Sequence, residues 1–206
     1  MNAMTIIDSP CVARLHAFTP SSGTGRDEAH RMAVRELSAS VRWLADGSIA
    51  IRYRLAADLW RVVIPQPRGG CAADGLWQHT CFEAFVATPG EAAYHEFNFS
   101  PSGQWAVYAF SAWRERDAGF VATTAPLLHI ERSVQELGLE AVLPAALLPS
   151  GGAGGKLCIG LCAVIEHADG ELEHWALHHP APQPDFHHRG GFVLELAPPK
   201  AENTHD

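Results

Sequence analysis

Residues 77–114 read WQHTCFEAFVATPGEAAYHEFNFSPSGQWAVYAFSAWR, and this stretch decides the fold. Three segments within it, 82–87 (FEAFVA), 94–100 (YHEFNFS) and 104–112 (QWAVYAFSA), are rich in aromatic and β-branched residues and contain no proline. That composition suits a pleated, half-buried surface. Side chains alternate between the two faces of a strand. His95, Phe97 and Phe99 therefore share one face of the second segment, and Tyr94, Glu96 and Asn98 share the other. In the third, Trp105, Val107 and Ala109 oppose Gln104, Ala106, Tyr108 and Phe110. Ser100-Pro101-Ser102-Gly103 reads as the turn, since proline presets φ and glycine accepts positive φ. The hairpin is expected to stand Glu96 and Asn98 beside the Tyr108 row.

Outward from this meander the β signal continues. LSASVRWLA (37–45), Asp46-Gly47 and SIAIRYRL (48–55) read as strand, tight turn and strand, with Ile49, Ile51, Tyr53 and Leu55 on one face. Trp60 to Ile64 reads as a further short strand closed by Pro65 and Pro67, and residues 65–76 as a loop. Phe120–Thr124, Leu127–Gln135 and Leu139–Leu143 read as strands, and one helical turn starts at Pro144. KLCIGLCAVIE (156–166) is a nearly continuous apolar run, expected as a buried central strand. Glu171–Leu177 is expected to pair back across Asp169-Gly170. Pro180, Pro182 and Pro184 impose an extended loop before a closing strand, FVLELA (192–197). Residues 21–25 and 150–155 read as loops, and Arg26–Glu36 as a helical turn. About nine to twelve short strands with few helical segments predict an all-β antiparallel sandwich or jelly roll. The expected organisation is an N-terminal segment of strand and loop over 1–36, the sandwich over 37–197 and a disordered tail over 198–206.

Composition narrows the function. Of the 206 residues 47% are hydrophobic and 18% charged, which supports a real core in a single domain. The net charge of −8 shows no basic face, so neither nucleic acid nor an anionic membrane is an expected partner. Five cysteines, an odd number in a chain this long, argue against a disulfide framework. Cys158 and Cys162 lie on one strand face and read as buried small hydrophobes. The N-terminal MNAMTIIDSPCVARLH has no signal-peptide pattern, and a cytoplasmic location is expected.

The central stretch resembles a DOMON-like domain within the family 9 carbohydrate-binding-module-like superfamily. The likeness rests on an acidic residue amid apolar ones in CFEAFV (81–86), the aromatic-rich strand Tyr94–Ser100, and the Ser-Pro-x-Gly turn at Ser100–Gly103. Asp74-Gly75-Leu76-Trp77, His178-His179-Pro180 and Pro184-Asp185-Phe186-His187 resemble a bacterial subgroup of those proteins. The resemblance spans roughly residues 37–197 and implies a sandwich that binds a sugar or haem. Fold-level likeness does not supply a site.

The residues themselves suggest where a ligand would sit. Trp77, Trp105, Trp113 and Tyr108 offer flat surfaces for the C–H face of a sugar, or else fill the core. Glu83, Glu96, Asn98, Gln104 and Arg114 offer directional hydrogen bonds to hydroxyls. Glu83 and Glu96 lie mid-strand in apolar surroundings, where an unpaired charge is costly. A buried ion pair with Arg114 or Arg52 is the structural alternative. The expected ligand contacts are Glu83, Glu96, Asn98, Tyr108, Trp113 and Arg114, in a non-catalytic module for a carbohydrate or similar polar ring compound. Two alternatives accompany this expectation. Glu83 and Glu96 are the pair a glycoside hydrolase would need. His79, His178 or His187 are candidates for a metal or haem, although no metal-ligand motif and no C-x-x-C-H is present and no cofactor is expected. A protein-interaction module with an open sheet face is the blandest reading. P-loop, G-x-S-x-G and dinucleotide signatures are absent from the sequence.

Overall fold

A computed structural model describes residues 11–19, 33–149 and 155–197. The described chain is an all-β sandwich in which the strands pair antiparallel. In chain order the strands are β1 (Cys11–Arg14), β2 (His16–Ala17), β3 (Val34–Trp43), β4 (Ile49–Ala57), β5 (Cys81–Ala87), β6 (Tyr94–Phe99) and β7 (Trp105–Ala112). They continue with β8 (Glu115–Arg116), β9 (Leu127–Arg132), β10 (Glu136–Leu143), β11 (Leu157–Glu166), β12 (Leu172–Ala176) and β13 (Leu194–Leu196). The smaller sheet runs β1-β3-β4-β10-β9. The larger runs β2-β12-β11-β5-β6-β7-β8, with β13 also paired to β11.

The faces follow the alternation in the sequence. From the smaller sheet, Val41, Ile51, Tyr53, Leu55, Leu137 and Leu139 point inward. From the larger, Phe82, Ala84, Val86, Phe97, Phe99, Leu161 and Ala163 meet them. Tyr53 ties the layers together: its ring stacks on Phe82 at 5.0 Å between centroids, and its hydroxyl donates to the Glu83 carbonyl at 2.7 Å. The central strand β5 is buried along its whole length because both of its faces are covered. Its outward face carries Phe85, which joins Tyr94, Tyr108, Phe110, Cys162 and Phe192 in a second apolar cluster.

Two glycines make this arrangement possible. Gly103 closes the β6–β7 turn at a φ of +89°, where a side chain would be strained. Gly160, in β11, leaves bare backbone under Phe192: a Cβ there would lie 3.0 Å from Phe192 Cδ1. The chain after β12 can therefore fold back over the outer face of the larger sheet, carrying Phe186, His187 and Phe192 with it.

Two expected strands are corrected. Trp60 to Ile64 is not a strand; Leu59–Arg61 form a 3₁₀ turn, and only Val62 makes a bridge, to His167. Leu59 and Val62, three apart, reach the core while Trp60 is 79% exposed, so the period through this turn is three; Ile64 then packs on the core without joining a strand. Phe120–Thr124 also forms no strand. The free edge of β7 is already taken, by β8 at one end and by a parallel bridge between Ala72 and Trp105 at the other. This cover also protects the sheet edge from pairing with another chain. The helical turn expected over 26–36 ends in strand from Val34; its earlier part, the loop at 21–25, most of the loop at 150–155 and the tail lie outside the described residues. The cysteines are free thiols, and no helix among the described residues is long and apolar enough to cross a membrane.

Candidate functional site

The outer face of the larger sheet carries a cleft of about 710 Å³. Its floor is β5, β6 and β7, contributing Glu83, Phe85, Glu96, Tyr108 and Phe110. One wall comes from Val164 of β11 with Leu172 and His174 of β12. Phe186 and His187, on the returning loop, close another side, and Trp77, Gln78, Arg114 and Arg116 stand at the remaining rim.

The register brings the acids together. Glu83 lies opposite Asn98, and Phe85 opposite Glu96, so the two glutamates are diagonal neighbours on adjacent strands and on the same face. Glu83 is 3% exposed, and its Oε1 has no hydrogen-bond partner. Burial pushes its carboxyl well above the usual range, and the charge of Glu96 adds to the shift. Glu96 is raised by burial to about 7, against the pull of a hydrogen bond from Asn98 and of the Arg116 and Arg114 charges. Asn98 Nδ2 donates to Glu96 Oε1 at 2.6 Å. Near neutrality the floor therefore holds carboxyl groups that can each donate as well as accept a hydrogen bond.

The Arg114 backbone N–H donates to Tyr94 Oη at 3.1 Å, and the same hydroxyl is hydrogen-bonded to His187 Nδ1 at 2.9 Å. His187 Nε2 faces Glu96 Oε2 at 3.7 Å. Burial and the Arg114 charge hold this imidazole down at about 4, so it is neutral at physiological pH.

Arg114 is the one non-glycine residue with positive φ, +57°, among the described residues. A side chain there costs on the order of 1 kcal/mol. The bond to Tyr94 and a 2.8 Å ion pair with Asp185 hold it in place. Asp185 also accepts from Trp113 Nε1 at 3.2 Å, so the β7–β8 turn and the returning loop are clamped together at the cleft mouth. On the opposite rim Tyr108 donates to Asp74, and the Arg116 guanidinium lies 4.0 Å from the Tyr108 ring centroid. Trp77 meets Tyr108 edge to face at 5.9 Å.

Of the residues expected from sequence, Glu83, Glu96, Tyr108 and Arg114 line the cleft. Asn98 does not: it is fully buried and touches the site through Glu96. Trp113 stands outside the lining, 59% exposed, as part of the mouth clamp. Trp105 and Gln104 are elsewhere; the Trp105 indole donates to the Gly70 carbonyl, and Gln104 packs into the Ser100–Ser102 turn. Neither glutamate is buried in an ion pair with Arg52, which pairs instead with Glu131. His79 Nδ1 is engaged by Glu166 at 2.8 Å, His178 lies exposed on a loop, and His187 is held by Tyr94. No group of three or more His, Cys, Asp or Glu side chains arranged to hold a metal occurs among the described residues. Phe85, Phe110 and Arg116 were not among the expected contacts. Phe85 shares parity with Glu83, and Phe110 with Tyr108, so alternation alone could have added both. Phe186 and His187 come from a segment whose return over the sheet has no sequence period, whereas His174 lies in β12, the strand expected to pair back across Asp169-Gly170.

The fold has known counterparts. A protein from Bacteroides uniformis to which carbohydrate binding has been provisionally assigned superposes with a TM-score of 0.61 at 15% identity, over 89% of this chain and 84% of its own. A family 9 carbohydrate-binding module from Caldicellulosiruptor kristjanssonii, in complex with cellotriose, matches with a TM-score of 0.53 at 9% identity, over 97% of this chain and 94% of its own. The same kind of module in complex with glucose matches at 0.53 and 8% identity, over 94% and 98%. At such identities the likeness establishes a shared sandwich architecture. No family model and no curated protein matches the chain.

Proposed function

We propose that this chain is a non-catalytic binding module for a carbohydrate or similar polar ring compound, DOMON-like in type, with the cleft over Glu83 and Glu96 as its site. The carrying observation is the Glu83 carboxyl: it is buried, lines the cleft, and has an oxygen without a partner. An unsatisfied buried polar atom costs about 1–3 kcal/mol, and a ligand hydroxyl would relieve it. The surroundings suit a ring with an apolar face and a polar edge: Phe110 and Trp77 supply aromatic surface, and Glu96, Tyr108 and Arg114 supply polar groups. The family 9 modules of similar fold were solved with glucose and cellotriose, which supports the same ligand class here.

The test is titration of a panel of glucose, xylose, cellotriose and related oligosaccharides, followed by tryptophan fluorescence. At least one member should bind, and Glu96→Ala should weaken it by about 10–100-fold, the loss of one or two hydrogen bonds. Binding nowhere in the panel, or binding indifferent to Glu96→Ala, contradicts the proposal. A Soret band on the purified protein would count for haem instead, and turnover of chromogenic glycosides abolished by Glu83→Gln would count for an enzyme.

A further inference from the structure

Sugars with and without a charged group would meet the floor of this cleft differently. Glu83 and Glu96 sit side by side, and no cationic group bonds to Glu83. Its register partner on β11 is Cys162, and Cys81 lies two residues before it on the same face. Both thiols are kept neutral by burial. On the β6 side stands the neutral amide of Asn98, already bonded to Glu96.

The nearby arginines act on Glu96 through their charge alone, and neither is bonded to a floor carboxyl. Arg114 is paired with Asp185, and Arg116 lies on the Tyr108 ring, whose hydroxyl is bonded to Asp74. The imidazole of His187 is neutral, and that of His174, from β12, packs against Phe186 at 5.8 Å. Glu83 and Glu96 are therefore carboxyls with no cation bonded to them, held partly protonated by burial and able to give up protons to an incoming cation. A hydroxyl would gain a neutral hydrogen bond from either. An ammonium has three donors and can bridge both carboxylates with charge-assisted bonds.

We propose that the cleft selects an amine-bearing sugar, with the ligand ammonium seated between Glu83 and Glu96. This rests on the carbohydrate reading above and names the class within it. Binding is coupled to protons: the ammonium replaces acid protons that the empty site holds, and these leave to solvent. With Glu96 at about 7 in the empty cleft, affinity for the amine rises from pH ~5 towards ~7, while affinity for a neutral sugar does not.

The experiment is calorimetric titration of the full chain with glucosamine, glucose and N-acetylglucosamine at about pH 5 and pH 6.5, in buffers of different ionisation enthalpy. Glucosamine is expected to bind about tenfold tighter than glucose at the higher pH, the gap between charge-assisted and neutral hydrogen bonds, and to release protons. N-acetylglucosamine, which has lost the charge, should gain nothing over glucose. Glu83→Gln, close to isosteric and checked for folding by its melting curve, should erase the preference for the amine. Equal affinity for glucose and glucosamine overturns the amine proposal and leaves the carbohydrate site standing. Glucosamine binding that survives Glu83→Gln unchanged overturns it as well, as attraction to an acidic surface only. Failure of all the sugars to bind overturns both readings.

Discussion

Replacing Phe82 with alanine is expected to destabilise the protein by about 3–5 kcal/mol, the cost of emptying a fully buried aromatic site. Phe82 is 0% exposed and lies on the inner face of β5, the strand that pairs with both β11 and β6. Its ring stacks on Tyr53, whose hydroxyl bonds across to the backbone of β5, so the two sheets are joined at this point. Loss of the ring leaves Tyr53 facing a cavity that β-sheet backbone cannot collapse to fill. For a chain of this length the melting temperature should fall on the order of 10 °C. Denaturant unfolding of Phe82→Ala checks the free energy, and a loss below about 1 kcal/mol would show that β5 is not the junction of the sandwich.

Glu96→Gln should do the opposite above neutral pH. The sign follows from the direction of the shift. In the unfolded chain a glutamate titrates near 4.5, and in the native cleft Glu96 titrates at about 7. Its folded form therefore binds the proton more tightly. That contribution is fully present below about pH 4.5 and is lost as pH rises through about 7. The loss amounts to about 3 kcal/mol. His187 acts in the other sense: its folded form, at about 4, resists protonation, so stability is lost as pH falls from about 6.5 towards 4. Subtracting the wild-type melting curve from that of Glu96→Gln cancels the histidine contribution. Glutamine keeps the acceptor for Asn98 and resembles the protonated acid in shape. The difference should be near zero at pH ~4.5, grow as pH rises, and level off above pH ~7 with the variant more stable by several degrees. Because Glu83 and Glu96 face each other, the titration belongs to the pair. A variant that is no more stable at pH 8 than at pH 4.5, relative to wild type, would place Glu96 in water rather than in the cleft floor.

These opposing effects explain which parts of the molecule the sequence disclosed. The inner faces were legible because burial imposes a period of two: Phe97 and Phe99 inward, Glu96 and Asn98 outward, is a pattern that needs no partner to be read. The Ser100–Gly103 turn was legible for the same local reason. Trp60–Ile64 reads as a strand from its apolar residues, whereas its first part is a 3₁₀ turn: Leu59 and Val62 are buried, Ile64 packs on the core from outside, and the intervening tryptophan faces solvent. The site was half legible. Glu83 and Glu96 stood out as charges in apolar strands, but Asn98 lies under the floor, and the wall of Phe186 and His187 depends on a bare glycine at 160 that lets Phe192 land on β11. A loop returning from beyond three prolines leaves no periodic trace. Nor does the clamp of Asp185 on Trp113 and Arg114, which joins residues about seventy positions apart.

The most direct measurement is an NMR titration with glucose and with glucosamine, reading the indole N–H signals of the tryptophans. Trp77 lines the cleft, while Trp60, 79% exposed on the turn after β4, does not. The result expected is a saturable shift of the Trp77 signal, with that of Trp60 unmoved. A saturable shift at Trp60 with none at Trp77, or no shift anywhere with either sugar, would contradict a carbohydrate site over Glu83 and Glu96.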